Sequence, residues 1–230
     1  MTPRVVVTTC PKYHWMLRPF AYLFNTFWSS MQPVTIVSYG QIPFVLPHNF
    51  TFFSVSQQEF PAEKWSNGVI DFLNILPDKW FIWLLDDYWL IRHADNPGIG
   101  TIFEYAQSVP NLLRFDLTDD RQYAGQMRDY AMYGNYDIIT TPHDSPYQFS
   151  LQAALWNKDQ LLKILQPNKS PWEAELHTQV PETMTVLGTR QKLVRYVNAW
   201  GTGSKGLNTT GIPKEQLDFM RMNGWLNAPS

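Results

Sequence analysis

Six consecutive apolar residues, Trp80-Phe81-Ile82-Trp83-Leu84-Leu85, end abruptly at Asp86-Asp87. A run of that length without polar alternation is expected of a strand covered on both faces, where every side chain meets a helix layer instead of water. Sheets of that kind are mostly parallel, and the covering helices come from the connections between strands. The expected fold class is therefore α/β, a three-layer α/β/α arrangement around a mostly parallel central sheet.

Neighbouring segments fit that frame. Residues 5–9 are a β-branched strand closed by Cys10-Pro11. Apolar positions at Met16, Phe20, Leu23 and Phe27 then recur with helical spacing, with Pro19 near the first turn. Residues 34–39 and 50–55 read as strands, 62–76 as a helix ended by Pro77, 98–108 as a helix and 112–117 as a strand. The second half is less regular. Residues 118–135 read as a polar excursion or lid. Strands are expected over 137–141, 149–156, 184–187 and 194–197. Asn157 caps a helix, with Gln160 at capping-box spacing. Pro213 opens a last helix that Asn223-Gly224 closes.

The chain has 230 residues, enough for one large α/β domain. No repeat or linker divides it. The expected organisation is one domain with a binding half over about 1–117, a catalytic half over about 118–208 and a C-terminal helix over 209–230. Net charge is −2 with no basic run, so nothing predicts a strong grip on nucleic acid. Cys10 is the only cysteine, which excludes an internal disulfide or a cysteine-rich zinc site, and it is expected as a small buried residue at a strand end. Aromatics reach 15%, including ten Trp. Such rings pack cores and also stack on sugars and bases. No window approaches the ~20 apolar residues of a membrane span, and residues 1–4 lead straight into a strand, so a cytoplasmic location follows by default.

Ligands of open α/β sheets bind beyond the carboxyl ends of the strands. Two adjacent acids ending a buried strand sit there, and their mutual repulsion favours a hard divalent cation shared with a diphosphate. The alternative is a polar turn in which Asp87 caps the next segment.

At Leu84-Leu85-Asp86-Asp87-Tyr88 the sequence resembles the nucleotide-sugar-dependent glycosyltransferases of the GT-A fold, at the place of their acidic DXD motif. The order of elements is similar from about Arg4 to Asn208, although Tyr88 stands where a third acid would be. The resemblance implies a nucleotide-sugar donor, an acceptor glycan or other hydroxyl-bearing molecule, and a divalent metal, Mn or Mg, on Asp86 and Asp87. It implies donor contacts at Thr8, Thr9, Cys10, Tyr13, Tyr39, Asp86 and, from a glycine-rich closing loop, Lys205. It also makes Ser150-Leu151-Gln152-Ala153-Ala154-Leu155-Trp156 and Ser170-Pro171-Trp172-Glu173-Ala174-Glu175 the acceptor segments. There Gln152, Trp172 and Glu173 touch acceptor and Glu175 is the base of an inverting transfer.

Plainer readings stand beside these. Thr8 to Pro11 is also a turn into a helix, and residues 201–206 a surface loop without Walker A spacing. Ser170 and Glu173 form a capping box. Glu173 and His177 lack a third ligand for zinc. Arg114 and Asp116 share a strand face and pair, while His143, Asp144, Asp119, Asp120 and Arg121 read as solvated turn residues. Two other functions remain: nucleotidyl transfer, disfavoured because residues 9–13 contain no glycine, and a non-catalytic carbohydrate-binding or degenerate transferase domain.

Overall fold

The computed structural model describes residues 2–56, 61–200 and 206–227. The chain begins with β1 (Arg4–Thr8), a 3-10 turn over Pro11–Met16, α1 (Leu17–Phe24) and one π-helical turn over Asn25–Ser29. Next come β2 (Val34–Ser38), β3 (Phe50–Ser54), α2 (Trp65–Ile75), β4 (Trp80–Leu85), β5 (Tyr88–Leu90), α3 (Asn96–Ser108) and β6 (Leu112–Asp116). The second half holds α4 (Asp120–Tyr123), β7 (Arg128–Tyr133), β8 (Tyr136–Thr140), β9 (Ala154–Asn157), α5 (Lys158–Ile164) and α6 (Pro171–His177). It ends with β10 (Thr185–Thr189), β11 (Tyr196–Asn198) and α7 (Lys214–Met222).

Nine strands form one sheet in the order β3-β2-β1-β4-β9-β6-β10-β8-β7. Only β9 and β8 run against the other seven, so the sheet is mostly parallel in direction. A separate two-stranded ribbon pairs β5 with β11. Alternate residues of the central strands feed two cores. Val5, Val7, Ile82 and Leu84 pack with α1 and α3, while Val6, Phe81 and Trp83 pack with α2, α5 and α6. This is the three-layer α/β/α arrangement, and the two-sided burial of β4 explains why Trp80 to Leu85 carries no polar residue.

Several sequence-based boundaries shift for physical reasons. The first helix is shorter than its apolar pattern, with tighter and wider turns at its two ends. The third begins at Asn96, because Asp95 caps it by accepting the Gly98 N–H at 3.0 Å. The expected strand over 149–156 is regular only from Ala154. Before it, the Leu151 N–H and the Ser150 carbonyl are bound to side chains instead of a sheet partner. Residues 118–135 are more regular than expected: they contain α4 and β7, and β7 forms a hairpin with β8 at the sheet's edge. Cys10 is half-exposed and not buried. No helix among the described residues is long and apolar enough to cross a membrane.

Candidate functional site

The sheet's topology gathers several candidates at one edge. β1 and β4 are parallel neighbours with Thr8 opposite Leu85, so Thr9 and Asp86 leave the sheet together. β9 enters antiparallel, with Ala154 lying between Trp83 and Asp116, which brings Gln152 and Asp116 to the same edge.

Asp86 is buried, and its Oδ2 accepts a short hydrogen bond from the Thr9 hydroxyl. Burial, followed by the charge of Asp87, pushes the Asp86 carboxyl up to about 8, against the pull of the Thr9 hydroxyl. Burial likewise raises Asp87 to about 6. The turn itself is anchored, because the Asp87 carbonyl accepts the Trp89 N–H at 3.0 Å and the Ala199 N–H at 2.8 Å. Burial penalises the ionisation of both carboxylates, and at Asp86 the charge of Asp87 adds to it; they are hard oxygen donors of the kind a divalent cation would take. Among the described residues no group of three or more His, Cys, Asp or Glu side chains is placed to hold a metal.

Tyr88 links this turn to the second cluster. Its ring stacks on Tyr196 with centroids 4.2 Å apart, and its hydroxyl donates to the Leu151 carbonyl at 3.2 Å. The Leu151 N–H in turn donates to Glu175 Oε1 at 2.6 Å, and the Ser150 hydroxyl donates to the same oxygen at 3.3 Å. Tyr196 donates to Gln152. Burial, then each phenol's charged neighbours, holds both tyrosines well above 10, so they stay donors. Among those charged neighbours of the Tyr88 phenol are the carboxylates of Asp87, Glu175 and Asp120.

Below Glu175 lies a buried charge cluster. Arg114 bonds the Ser150 carbonyl and Asp116, and Arg121 Nε donates to Asp116 Oδ2 at 2.9 Å. Burial alone would raise Asp116, but the two guanidiniums hold it below the ordinary carboxylate range. Arg121 also binds the Thr141 hydroxyl at 2.9 Å. It is fully buried, contrary to its reading as a solvated turn residue, because it supplies the second counter-charge to Asp116. The expected Arg114–Asp116 pair is present.

Two cavities open here. One of about 320 Å³ is lined by Arg114, Arg121, Asp120, Gln152 and Glu175. The other, of about 500 Å³, lies against β5 and β11 and shares Asp120 and Gln152 with the first. Asp86 and Asp87 line neither.

The other candidates fall into distinct surroundings. Thr8 is buried and its hydroxyl accepts the Trp83 indole N–H at 3.1 Å. Cys10 and Tyr13 start the 3-10 turn, and Tyr39 is buried at the end of β2. Trp172 is 56% exposed on α6. Glu173 Oε2 accepts the Ser170 N–H and hydroxyl, both at 2.8 Å, so its carboxylate serves the capping box. Lys205 lies outside the described residues. Sequence reasoning missed Tyr88 as a bridge, and Tyr196 and Asp120 as neighbours of the site. Arg114 and Asp116 carried a visible signal, two opposite charges on one face of an otherwise apolar strand.

No protein-family model matches the sequence, and no curated protein matches it. Solved structures do resemble the fold. TarS of S. aureus, residues 1–349, gives a TM-score of 0.51 at 13% identity, covering 86% of this chain and 61% of that one. A UDP-glucose pyrophosphorylase complexed with UDP-glucose gives 0.49 at 10% identity, covering 96% of this chain and 100% of that one. The bifunctional glycosyltransferase WbbM gives 0.40 at 11% identity, covering 70% of this chain and 32% of that one. The chain thus spans about a third of WbbM and under two thirds of the TarS segment. The likeness to the TarS segment shows a GT-A-like, Rossmann-like α/β fold.

Proposed function

We propose that this chain is a glycosyltransferase that moves a sugar from a nucleotide-diphosphate sugar to an acceptor hydroxyl with inversion at the anomeric carbon. The observation that carries this reading is the hydrogen-bonded path from the Asp86–Asp87 turn through Tyr88 and Leu151 to Glu175. It ties a buried acid pair at a strand end to a carboxylate that lines a cavity.

Glu175 is the base in this scheme. Both of its bonds use Oε1, which leaves Oε2 to take the proton as the acceptor oxygen attacks. As the new C–O bond forms, the bond to the diphosphate breaks and its electron pair leaves on the diphosphate oxygen. Asp86 and Asp87 would hold a divalent cation, Mn or Mg, which neutralises charge gathering on that leaving group. Gln152, fixed by Tyr196, borders both cavities and orients the acceptor. Thr9 holds Asp86 in place.

Nucleotidyl transfer is the lesser reading. β1 runs directly into the 3-10 turn at Pro11, and residues 9–13 contain no glycine to bring backbone N–H groups against a triphosphate.

The test is nucleotide release from a panel of UDP, GDP, CMP and dTDP sugars with manganese and mixed hydroxyl acceptors. Release from one donor is expected. It should fall about 10²–10⁴-fold in Glu175→Gln, the usual span for losing a general base, and depend on metal in the wild type. Full metal-dependent release in Asp87→Ala would remove the acid pair from the scheme. Binding without turnover of every donor would favour a carbohydrate-binding module.

A further inference from the structure

The 500 Å³ cavity carries a charge arrangement that the proposed chemistry does not use. Three cations and two acids line it: Arg92, Lys192 and Arg195 with Asp119 and Asp120. Lys192 is committed to Asp119 at 2.6 Å. Asp120 accepts the Thr118 hydroxyl at 2.5 Å. Arg92 and Arg195 differ, because among the described residues neither guanidinium forms an ion pair or a side-chain hydrogen bond. Both are exposed. Arg92 lies two residues beyond β5 and Arg195 one residue before β11, and both line this cavity.

Two unpaired guanidiniums lining one cavity leave a local excess of positive charge that an anion would offset. Guanidinium forks match the oxygens of phosphate, with two parallel N–H···O bonds to each. We propose that Arg92 and Arg195 form a phosphate-binding site at the mouth of this cavity, distinct from the Asp86–Asp87 turn. The phosphate belongs either to the donor's diphosphate or to a phosphorylated acceptor. That choice of source rests on the glycosyl-transfer reading, whereas phosphate binding itself does not.

The test is calorimetric titration of the full chain with inorganic pyrophosphate, in chelator-treated buffer at low salt so that no cation bridges to the acid pair. Binding is expected to weaken about tenfold or more in the Arg92→Gln/Arg195→Gln protein. It should be unchanged in Asp87→Asn and fall as salt rises. Equal binding by the double variant and the wild type overturns the site, as does loss of binding in Asp87→Asn alone. Both arginines are exposed, so an unchanged melting temperature checks that the double variant folds. A second titration, with UDP-glucose and manganese, separates the sources. Weakened donor binding in the double variant assigns the phosphate to the donor. Intact donor binding, with pyrophosphate still bound by the donor-saturated wild type, assigns it to the acceptor. Pyrophosphate binding is read without turnover, so a failed transferase assay leaves this result standing.

Discussion

Asp86 and Asp116 are carboxylates of nearly the same depth with opposite electrostatics. β4 and β6 both bond to β9, and Ala154 faces Trp83 on one side and Asp116 on the other, so the two acids leave the sheet at neighbouring points of one edge. Both are buried. Asp116 meets two guanidiniums and is held below the ordinary range, whereas Asp86 meets a second acid and is pushed up to about 8. Burial acts alike on both, so the neighbours decide the sign. A compensated acid is a structural part. An acid whose charge is uncompensated has unspent affinity for a cation, and that contrast separates the candidate site from the scaffold beneath it.

The contrast breaks most visibly at Asp116. Asp116→Asn leaves Arg114 and Arg121 buried without their shared counter-charge. Removing one member of such a group costs about 3–5 kcal/mol. Urea denaturation should show that loss, with a melting point lower by roughly 2–4 °C per kcal/mol for a chain of this size. If Asp116→Asn is as stable as the wild type, the two acids are not opposites.

Asp86→Asn should act in the other direction. The unfolded chain releases this proton near 3.8, and the folded chain keeps it up to about 8. Within that window the folded state binds the extra proton, so stability is fullest below the lower value and declines as pH rises to the upper one. One proton sets a slope no steeper than about 1.4 kcal/mol per pH unit. Asp87 adds to the decline over the shorter interval to about 6. Melting curves at about pH 6.5 and about pH 8 should show a smaller fall for Asp86→Asn than for the wild type. Manganese should restore the wild type at the higher pH and leave the variant little changed. Identical pH slopes for the two proteins would mean that Asp86 is not the group being titrated.

These two carboxylates also show how far the sequence could be read. The run Trp80 to Leu85 ending in two acids was legible because two-sided burial excludes polar residues, and the strand end then fixes where the acids emerge. The capping box at Ser170 and Glu173 was legible because it is local, with both partners three residues apart. Arg121 was not legible. Its role depends on Asp116 and Thr141, and nothing in a short polar segment distinguishes a guanidinium facing water from one folded under a sheet. Tyr88 was misleading in the same way. Counted as an absent acid, it is the residue whose hydroxyl connects β5 to the segment that holds Glu175. The non-strand conformation of residues 149–153 was hidden for a related reason, since its backbone partners are side chains more than twenty residues away.

The smallest effect lies on α6, which carries Glu175 but belongs to neither region. Ser170 accepts the Glu173 N–H at 3.2 Å, and Glu173 returns two bonds to Ser170. Those bonds hold the Glu173 carboxyl below its ordinary value, so their contribution is full at neutral pH and is lost as pH falls through the carboxylate range. Ser170→Ala should cost about 1 kcal/mol, the usual price of an N-cap. Glu175 is held at the other end of the helix by the Leu151 N–H, so the variant should keep its transfer rate. Its stability should also fall with rising pH as the wild type's does, because the cap touches neither Asp86 nor Asp116. A transfer rate that drops in Ser170→Ala as far as in Glu175→Gln would show that the cap, and not the bond from Leu151, sets the position of the carboxylate.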